Sequence, residues 1–365
     1  RSSAASDVYK RQDIRSSGGR EKGPNIIILL ADDLGRNDLK LYWDQGVLTP
    51  NINRMAEEGI LFTQAYSTSS VCNPSRAALL TGRYQQRFGN ERQIQGRYAR
   101  SKLEFFLFKH FVNTRPLHFI EPWYSPPESE QRKQGLPESE ITLFEIYNAA
   151  GYTTACIGKW HLGYNEPYLP RNRGIDEFYG FYEAYSLYAP VRQKGMVNHR
   201  HRVFQNKVMW RQKRDGPSAI MHNEIEVKEK GYLTSRIAEE ACRFIDENSD
   251  DPFLLYVPFS APHTPFQAPE EYLKRFPDIQ DKNKRVYYAM IAALDDAIGK
   301  ILEKVRLEGL EQNTLIFFSS DNGGATYTGA TDNGDLKGGK MTHFDGGLKV
   351  PLIIRWQGTI AADEY

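Results

Sequence analysis

Five runs of apolar residues punctuate the chain, at positions 25–31 (NIIILLA), 153–158, 252–259, 313–320 and 350–356. An apolar run without alternation reads as a strand buried on both faces, the pattern of a parallel sheet covered by helices. Stretches of helical period separate the runs. Thr49 and Pro50 open a helix that Gly59 stops, with Thr49 as N-cap and Pro50 in the first turn. Thr142 and Glu145 form a capping box, and Gly151 closes that helix. Residues 231–248 carry Ile237, Ala241, Phe244 and Ile245 on one side, and residues 283–307 carry Ala289, Ala293, Ala297, Ile301 and Val305. A further strand is expected at 60–65. Strands alternating with helices predict an α/β fold, a mostly parallel central sheet flanked by helices on both faces.

Polar residues capable of chemistry follow four of the runs directly. Asp32-Asp33 ends the first, Lys159 and His161 the second, His263 the third and Asp321-Asn322 the fourth. Ligands of open α/β sheets bind outside the carboxyl ends of the strands, so the four clusters are expected at one edge. Two carboxylates at a buried strand end are costly unless positive charge sits between them; a hard divalent cation is the natural partner. The plain alternative is a pair of solvated loop aspartates. Asp321 and Asn322 offer further oxygens. Lys159 and His161 are two apart, so extended backbone puts them on one face. A lysine there holds an anion and a histidine shuttles a proton. Singly, they read as a surface lysine and a satisfied histidine.

The stretch 71–83, VCNPSRAALLTGR, organises the rest. Cys72 stands just before a helix start, with Pro74 in the first turn and Gly82 at the end. Free N–H groups and the helix dipole stabilise negative charge there. Arg76 lies one turn on and can reach back over the same spot. A lone cysteine is most often a small buried hydrophobe, and a free thiolate nucleophile is the other simple reading. Cys-x-Pro-Ser-Arg followed by Thr-Gly-Arg resembles the signature of the type I sulfatases, in the alkaline phosphatase superfamily. Gly-Lys-Trp-His-Leu-Gly at 158–163 resembles the same family.

The resemblance implies an alkaline phosphatase-like fold and hydrolysis of sulfate esters of carbohydrates or aryl alcohols. Cys72 would be oxidised to formylglycine by a maturation enzyme, and its hydrated aldehyde would attack sulfur to give a covalent sulfo-enzyme. One divalent metal, Ca²⁺, would be held by Asp32, Asp33, Asp321, Asn322 and the modified Cys72. Lys159, His161, His263 and Lys340 would bind sulfate and assist the leaving alcohol, with Arg76 anchoring the modified side chain. Lys337, close to Lys340, reads as surface. The family also implies a secreted, periplasmic or lysosomal home. The alternatives are a phosphate or phosphonate ester hydrolase of the same superfamily and an inactive anion-binding fragment.

Composition changes this picture little. With 40% hydrophobic residues in 365, the chain can build a sizeable core. Lys and Arg number 47 against 46 Asp and Glu, so net charge gives no argument for nucleic acid and anion recognition must be local. No run of 18 apolar residues predicts a membrane span. Three cysteines make no disulfide framework. Residues 1–23 are polar and read as a leader outside the fold. Residues 24–360 read as the catalytic domain, interrupted by an aromatic, proline-rich insertion at 93–135. The Tyr-, Gly- and Arg-rich segment 164–215 reads as loops shaping a substrate pocket, and Cys242 as inert core. Residues 361–365 read as a truncated end, with the family's C-terminal small-sheet region largely missing.

Overall fold

The computed structural model describes residues 23–91, 134–200, 209–210 and 212–362. Its strands, in chain order, are β1 (Asn25–Asp32), β2 (Ile60–Leu61), β3 (Thr153–Lys159), β4 (Glu177–Phe181), β5 (Met196–His199), β6 (Met221–His222), β7 (Ile225–Glu226), β8 (Phe253–Pro262), β9 (Phe266–Pro269), β10 (Thr314–Ser320) and β11 (Leu352–Arg355). Nine of them form one sheet in the order β2-β11-β10-β1-β8-β3-β4-β6-β7, and β5 pairs with β9. The five central strands, β10, β1, β8, β3 and β4, are mutually parallel. The flanking strands β11, β2, β6 and β7 run antiparallel to their neighbours.

Alternation within β1 sends its side chains into two separate cores. Ile27 and Leu29 join a cluster with Ile237, Phe244, Ala293 and Ile298, from the helices Leu233–Glu247 and Lys282–Leu307. Ile26, Ile28 and Leu30 join another with Ala77, Leu80 and Phe144, from the helices Cys72–Thr81 and Leu143–Ala149. Every residue of β1 and β8 is buried, which is why their sequences read as unbroken apolar runs. Among the described residues no helix is long and apolar enough to cross a membrane.

The structure departs from expectation in several elements. The strand expected at 60–65 stops at Leu61; beyond it the chain meets β11 and the residues before it through single contacts, such as Phe62 N–H to the Leu352 carbonyl and Val350 N–H to the Ala65 carbonyl. The last strand is antiparallel. The segment 164–215 contains β4, hidden in the sequence by Gly180. That glycine is required, because a Cβ there would meet the Gly158 carbonyl oxygen at 1.7 Å. Cys242 is half-buried and packs against the core from its helix. The readings of 1–23 and 93–135 fall, apart from Gly23, Gln134 and Gly135, outside the described residues.

The helix Pro50–Glu57 is capped from a distance. Thr49 occupies the N-cap, but its hydroxyl turns to Asn53 Oδ1 at 3.1 Å. Asp295, on the long helix, accepts instead from the backbone N–H groups of Asn51 (3.1 Å) and Ile52 (2.9 Å). Asp295→Ala is expected to lose about 1–2 kcal/mol of stability in urea denaturation. An unchanged midpoint would mean that this contact contributes nothing.

Candidate active site

Parallel neighbours deliver their carboxyl ends to one edge. Asp32 is the last residue of β1 and Lys159 the last of β3. His263 follows β8 and Asp321 follows β10 directly. The helix Cys72–Thr81 brings its N-terminus to the same place. Cys72 is its first residue rather than the one before it, Val71 is the N-cap, and Gly82 ends it in the left-handed conformation at φ 64°. The predicted residues therefore meet in one buried cluster.

Cys72 Sγ lies 3.4 Å from Asp32 Oδ1 and 3.8 Å from Asp33 Oδ1. Lys340 Nζ donates to Sγ at 3.1 Å and to Asp33 Oδ2 at 2.9 Å. Lys159 Nζ donates to Asp32 Oδ2 at 2.6 Å. His263 Nε2 stands 3.5 Å from Asp33 Oδ2. Arg76 Nε donates to Asp321 Oδ2 at 2.9 Å, and another guanidinium nitrogen donates to the Lys159 carbonyl at 3.0 Å. Asn322 Nδ2 donates to Asp33 Oδ1 at 2.9 Å. Asp33 has left-handed backbone, φ 63°, a strained conformation for a non-glycine residue. Its peptide is held on both sides. Its N–H donates to Asp321 Oδ1 at 3.2 Å, and the Tyr287 hydroxyl donates to its carbonyl at 3.1 Å.

Burial and charge set the protonation states. Burial raises Asp32 to about 7; Lys159 opposes this and Asp321 adds to it. Burial also acts to raise Asp33, but Lys340, His263 and Lys159 outweigh it and hold its carboxyl well below the usual range. Burial, with Asp321 nearby, pushes the Cys72 thiol well above its ordinary value. A free thiolate at neutral pH is therefore disfavoured, which weakens the simple nucleophilic-cysteine reading. Burial lowers His263 to about 3 despite Asp33, and burial together with Lys159 takes His161 well below its ordinary range. Both imidazoles are neutral at neutral pH.

Several placements differ from the sequence reading. The lysines, read as sulfate ligands, pair here with the acids, Lys159 with Asp32 and Lys340 with Asp33. Arg76 engages Asp321 rather than bending over the Cys72 sulfur. His161 has φ 56°, so Lys159 and His161 do not share a face by strand alternation; the His161 carbonyl accepts from Asn73 Nδ2 at 2.7 Å. His263 joins Asp32, Asp33 and Cys72 in a set whose ligand atoms lie within 4.8 Å of one another. Lys337 is exposed, its Nζ 4.2 Å above the Phe344 ring. Tyr287 and Asn73 escaped the sequence reading. Asn73 sits inside the cysteine motif and was open to notice, whereas Tyr287 looks like any aromatic on a helix core face. A cavity of about 460 Å³ lies to one side, lined by Lys284, Thr326, Thr331 and Gly338 among others.

The donor set fits a hard divalent cation. Asp32 and Asp33 offer carboxylate oxygens, and Asn322 Oδ1 is buried and accepts no hydrogen bond among the described residues. The unmodified thiol of Cys72 is the one soft donor among them.

Fold and site together define an α/β protein of alkaline phosphatase-like architecture, with a buried cluster of acids, lysines, histidine and cysteine at the carboxyl ends of its parallel strands. Residues 24–365 match the sulfatase family, and the chain belongs to it. It is 33% identical over 354 residues to N-acetylgalactosamine-6-sulfatase of Rattus norvegicus, covering 95% of this chain and 60% of that protein. It is 31% identical over 352 residues to an arylsulfatase of Hemicentrotus pulcherrimus, covering 93% and 54%. Among solved structures it resembles Ps i-CgsB, also seen in complex with k-i-k-neocarrahexaose, at TM-score 0.75 and 32% identity, covering 94% of this chain and 68% of that one. The chain thus spans 60% of the length of the N-acetylgalactosamine-6-sulfatase it matches. Sulfatases generally use a metal ion and a formylglycine, and among the described residues the buried Asp32, Asp33, Cys72 and His263 set has groups suited to an ion.

Proposed function

We propose that this protein hydrolyses sulfate esters of carbohydrates, using Cys72 matured to formylglycine and one Ca²⁺ ion. One observation carries the reading: Cys72 lies buried at a helix N-terminus within 3.8 Å of both Asp32 and Asp33 and is touched by Lys340. A thiol hemmed in by carboxylates is a poor nucleophile, which favours the reading in which a matured residue 72 does the attacking. The partner required is a formylglycine-generating enzyme. Carbohydrate sulfates are favoured over other esters by the names of the relatives.

Asp32, Asp33, Asp321 and Asn322, with matured residue 72, are the residues that would hold the ion. When bound, the ion supplies Lewis-acid polarisation of sulfate oxygens, and the hydrated aldehyde supplies the attacking oxygen. The chain's own groups do the rest. Lys159 and Lys340 offset negative charge in a buried, water-poor space where such pairing counts most. A carbonyl oxygen only accepts, so the 2.5 Å contact of His263 Nδ1 with the Thr264 carbonyl puts the ring proton on Nδ1. His263 therefore offers Nε2 to the site, where it can hold a proton in transit to or from the leaving alcohol. Arg76 neutralises Asp321 and ties it to the end of β3.

The test is turnover of sulfated galactosaccharides and of 4-nitrophenyl sulfate, compared with 4-nitrophenyl phosphate. Release of sulfate with little phosphate turnover is expected. Preferential phosphate release would favour the phosphoester alternative. Lys340→Ala is expected to lower kcat/KM at least about a hundredfold, because it removes a buried charge at the reacting centre. Lys337→Ala should remain within about twofold of wild type, as exposed charges contribute little. Equal effects of the two substitutions would sink the assignment of Lys340.

A further inference from the structure

We propose that Tyr188 is a positioning residue that aims the His263 imidazole by clamping both ends of the turn that presents it. The proposal takes His263 as a working group of the site and in that respect rests on the sulfatase reading. His263 follows β8 in a turn closed by its own N–H donating to the Ser260 carbonyl at 2.9 Å. The Tyr188 hydroxyl reaches both ends of that turn, 2.5 Å from the Ser260 carbonyl oxygen and 2.8 Å from the His263 carbonyl oxygen. One phenolic proton shared between two carbonyls fixes their separation.

A clamp works only if it is itself immobile, and Tyr188 is fully buried and held at every polar atom. Its N–H donates to Gln267 Oε1 at 2.8 Å, and its carbonyl accepts from an Arg214 guanidinium nitrogen at 2.7 Å. Arg214 also donates to the Leu187 carbonyl at 2.8 Å. The Tyr188 ring stacks on Tyr232, centroids 5.7 Å apart. Burial keeps the phenol well above its ordinary pKa, so it remains a donor across the working range. The clamp sets where the ring stands. With the turn held, Nδ1 meets the Thr264 carbonyl and Nε2 faces Asp33 at 3.5 Å. Released, the ring gains alternative rotamers and both tautomers.

Tyr188→Phe deletes one oxygen and keeps the ring. The control is Tyr232→Phe, which also deletes a buried hydroxyl, one that donates to the Gln267 carbonyl at 3.2 Å and leaves the His263 turn alone. With 4-nitrophenyl sulfate, Tyr188→Phe is expected to lower kcat about tenfold while KM moves less than about twofold, and Tyr232→Phe to leave kcat near wild type. The second readout is the ¹⁵N spectrum of labelled histidine at neutral pH, His263 being assigned by its loss in His263→Gln. A single Nδ1–H tautomer is expected in wild type and in Tyr232→Phe, and averaged tautomers in Tyr188→Phe. Unchanged tautomers in Tyr188→Phe, or equal changes in both variants, would overturn the proposal. Should Tyr188→Phe not fold, a wild-type His263 carrying its proton on Nε2 would overturn it and a fixed Nδ1–H would support it. The spectrum reads the ring whether or not sulfate esters are turned over, so failure of this proposal is distinguishable from failure of the sulfatase reading.

Discussion

Cys72→Ala protein is expected to fold like wild type and to lose sulfate ester turnover by at least about a thousandfold. The two halves of this expectation have separate causes. Cys72 contributes little to packing, and its sulfur touches polar groups, Asp32, Asp33 and Lys340, rather than the apolar core. Alanine keeps Lys340 paired with Asp33 and Lys159 paired with Asp32, so no buried charge is stranded. Loss of one small buried group then costs about 1 kcal/mol, within reach of a thermal melt. Turnover has no such reserve, because on the proposed mechanism the attacking oxygen belongs to the matured residue 72. In that account the neutral His161 and His263 carry protons, and the carboxylates are engaged by lysines and arginine. Residual activity above about a tenth of wild type would assign the chemistry to another group.

The second large effect is expected from the acids. Exhaustive chelation of wild-type protein should abolish turnover, and added Ca²⁺ should restore it. Asp33→Asn should depress Ca²⁺ affinity and activity together, and should also destabilise the protein by about 3–5 kcal/mol, because Lys340 loses its buried partner. Asp33 is the residue to change because so much converges on it. Lys340, Asn322 and His263 all face its carboxylate. Both flanking backbone groups are bound, to Asp321 and Tyr287. Calorimetric titration with Ca²⁺ separates the two effects, since binding and folding are read independently. Turnover indifferent to chelation would remove the metal from the account while leaving Asp33 as the anchor of Lys340.

The sequence made the sheet legible where burial is complete. β1 and β8 are buried throughout and read as apolar runs, and the polar pairs after them marked the edge where ligands bind. The cysteine motif made the helix start legible through its proline and glycine. β4 stayed hidden, because Gly180 is a poor strand former kept for close backbone approach to Gly158. The pairings inside the site stayed hidden for a different reason. Lys159 meets Asp32 across 127 positions, and Lys340 meets Asp33 across 307. No local period or spacing encodes a contact that only the assembled sheet creates. Asp295 as a remote helix cap and Tyr188 behind His263 belong to the same class: both look like ordinary helix or core residues until their hydrogen bonds are drawn. Conversely, the sequence placed Lys159 and His161 on one face by strand alternation, and the left-handed backbone at His161 shows that alternation ends with the strand.

Sulfate ester cleavage at this buried edge is proposed to run through a matured Cys72. The most direct test is the mass of the peptide containing residue 72, measured in protein fractions of known specific activity. An aldehyde in place of the thiol, lighter by about 18 Da, is expected in proportion to turnover. Full activity in a fraction whose residue 72 is entirely free thiol would contradict it.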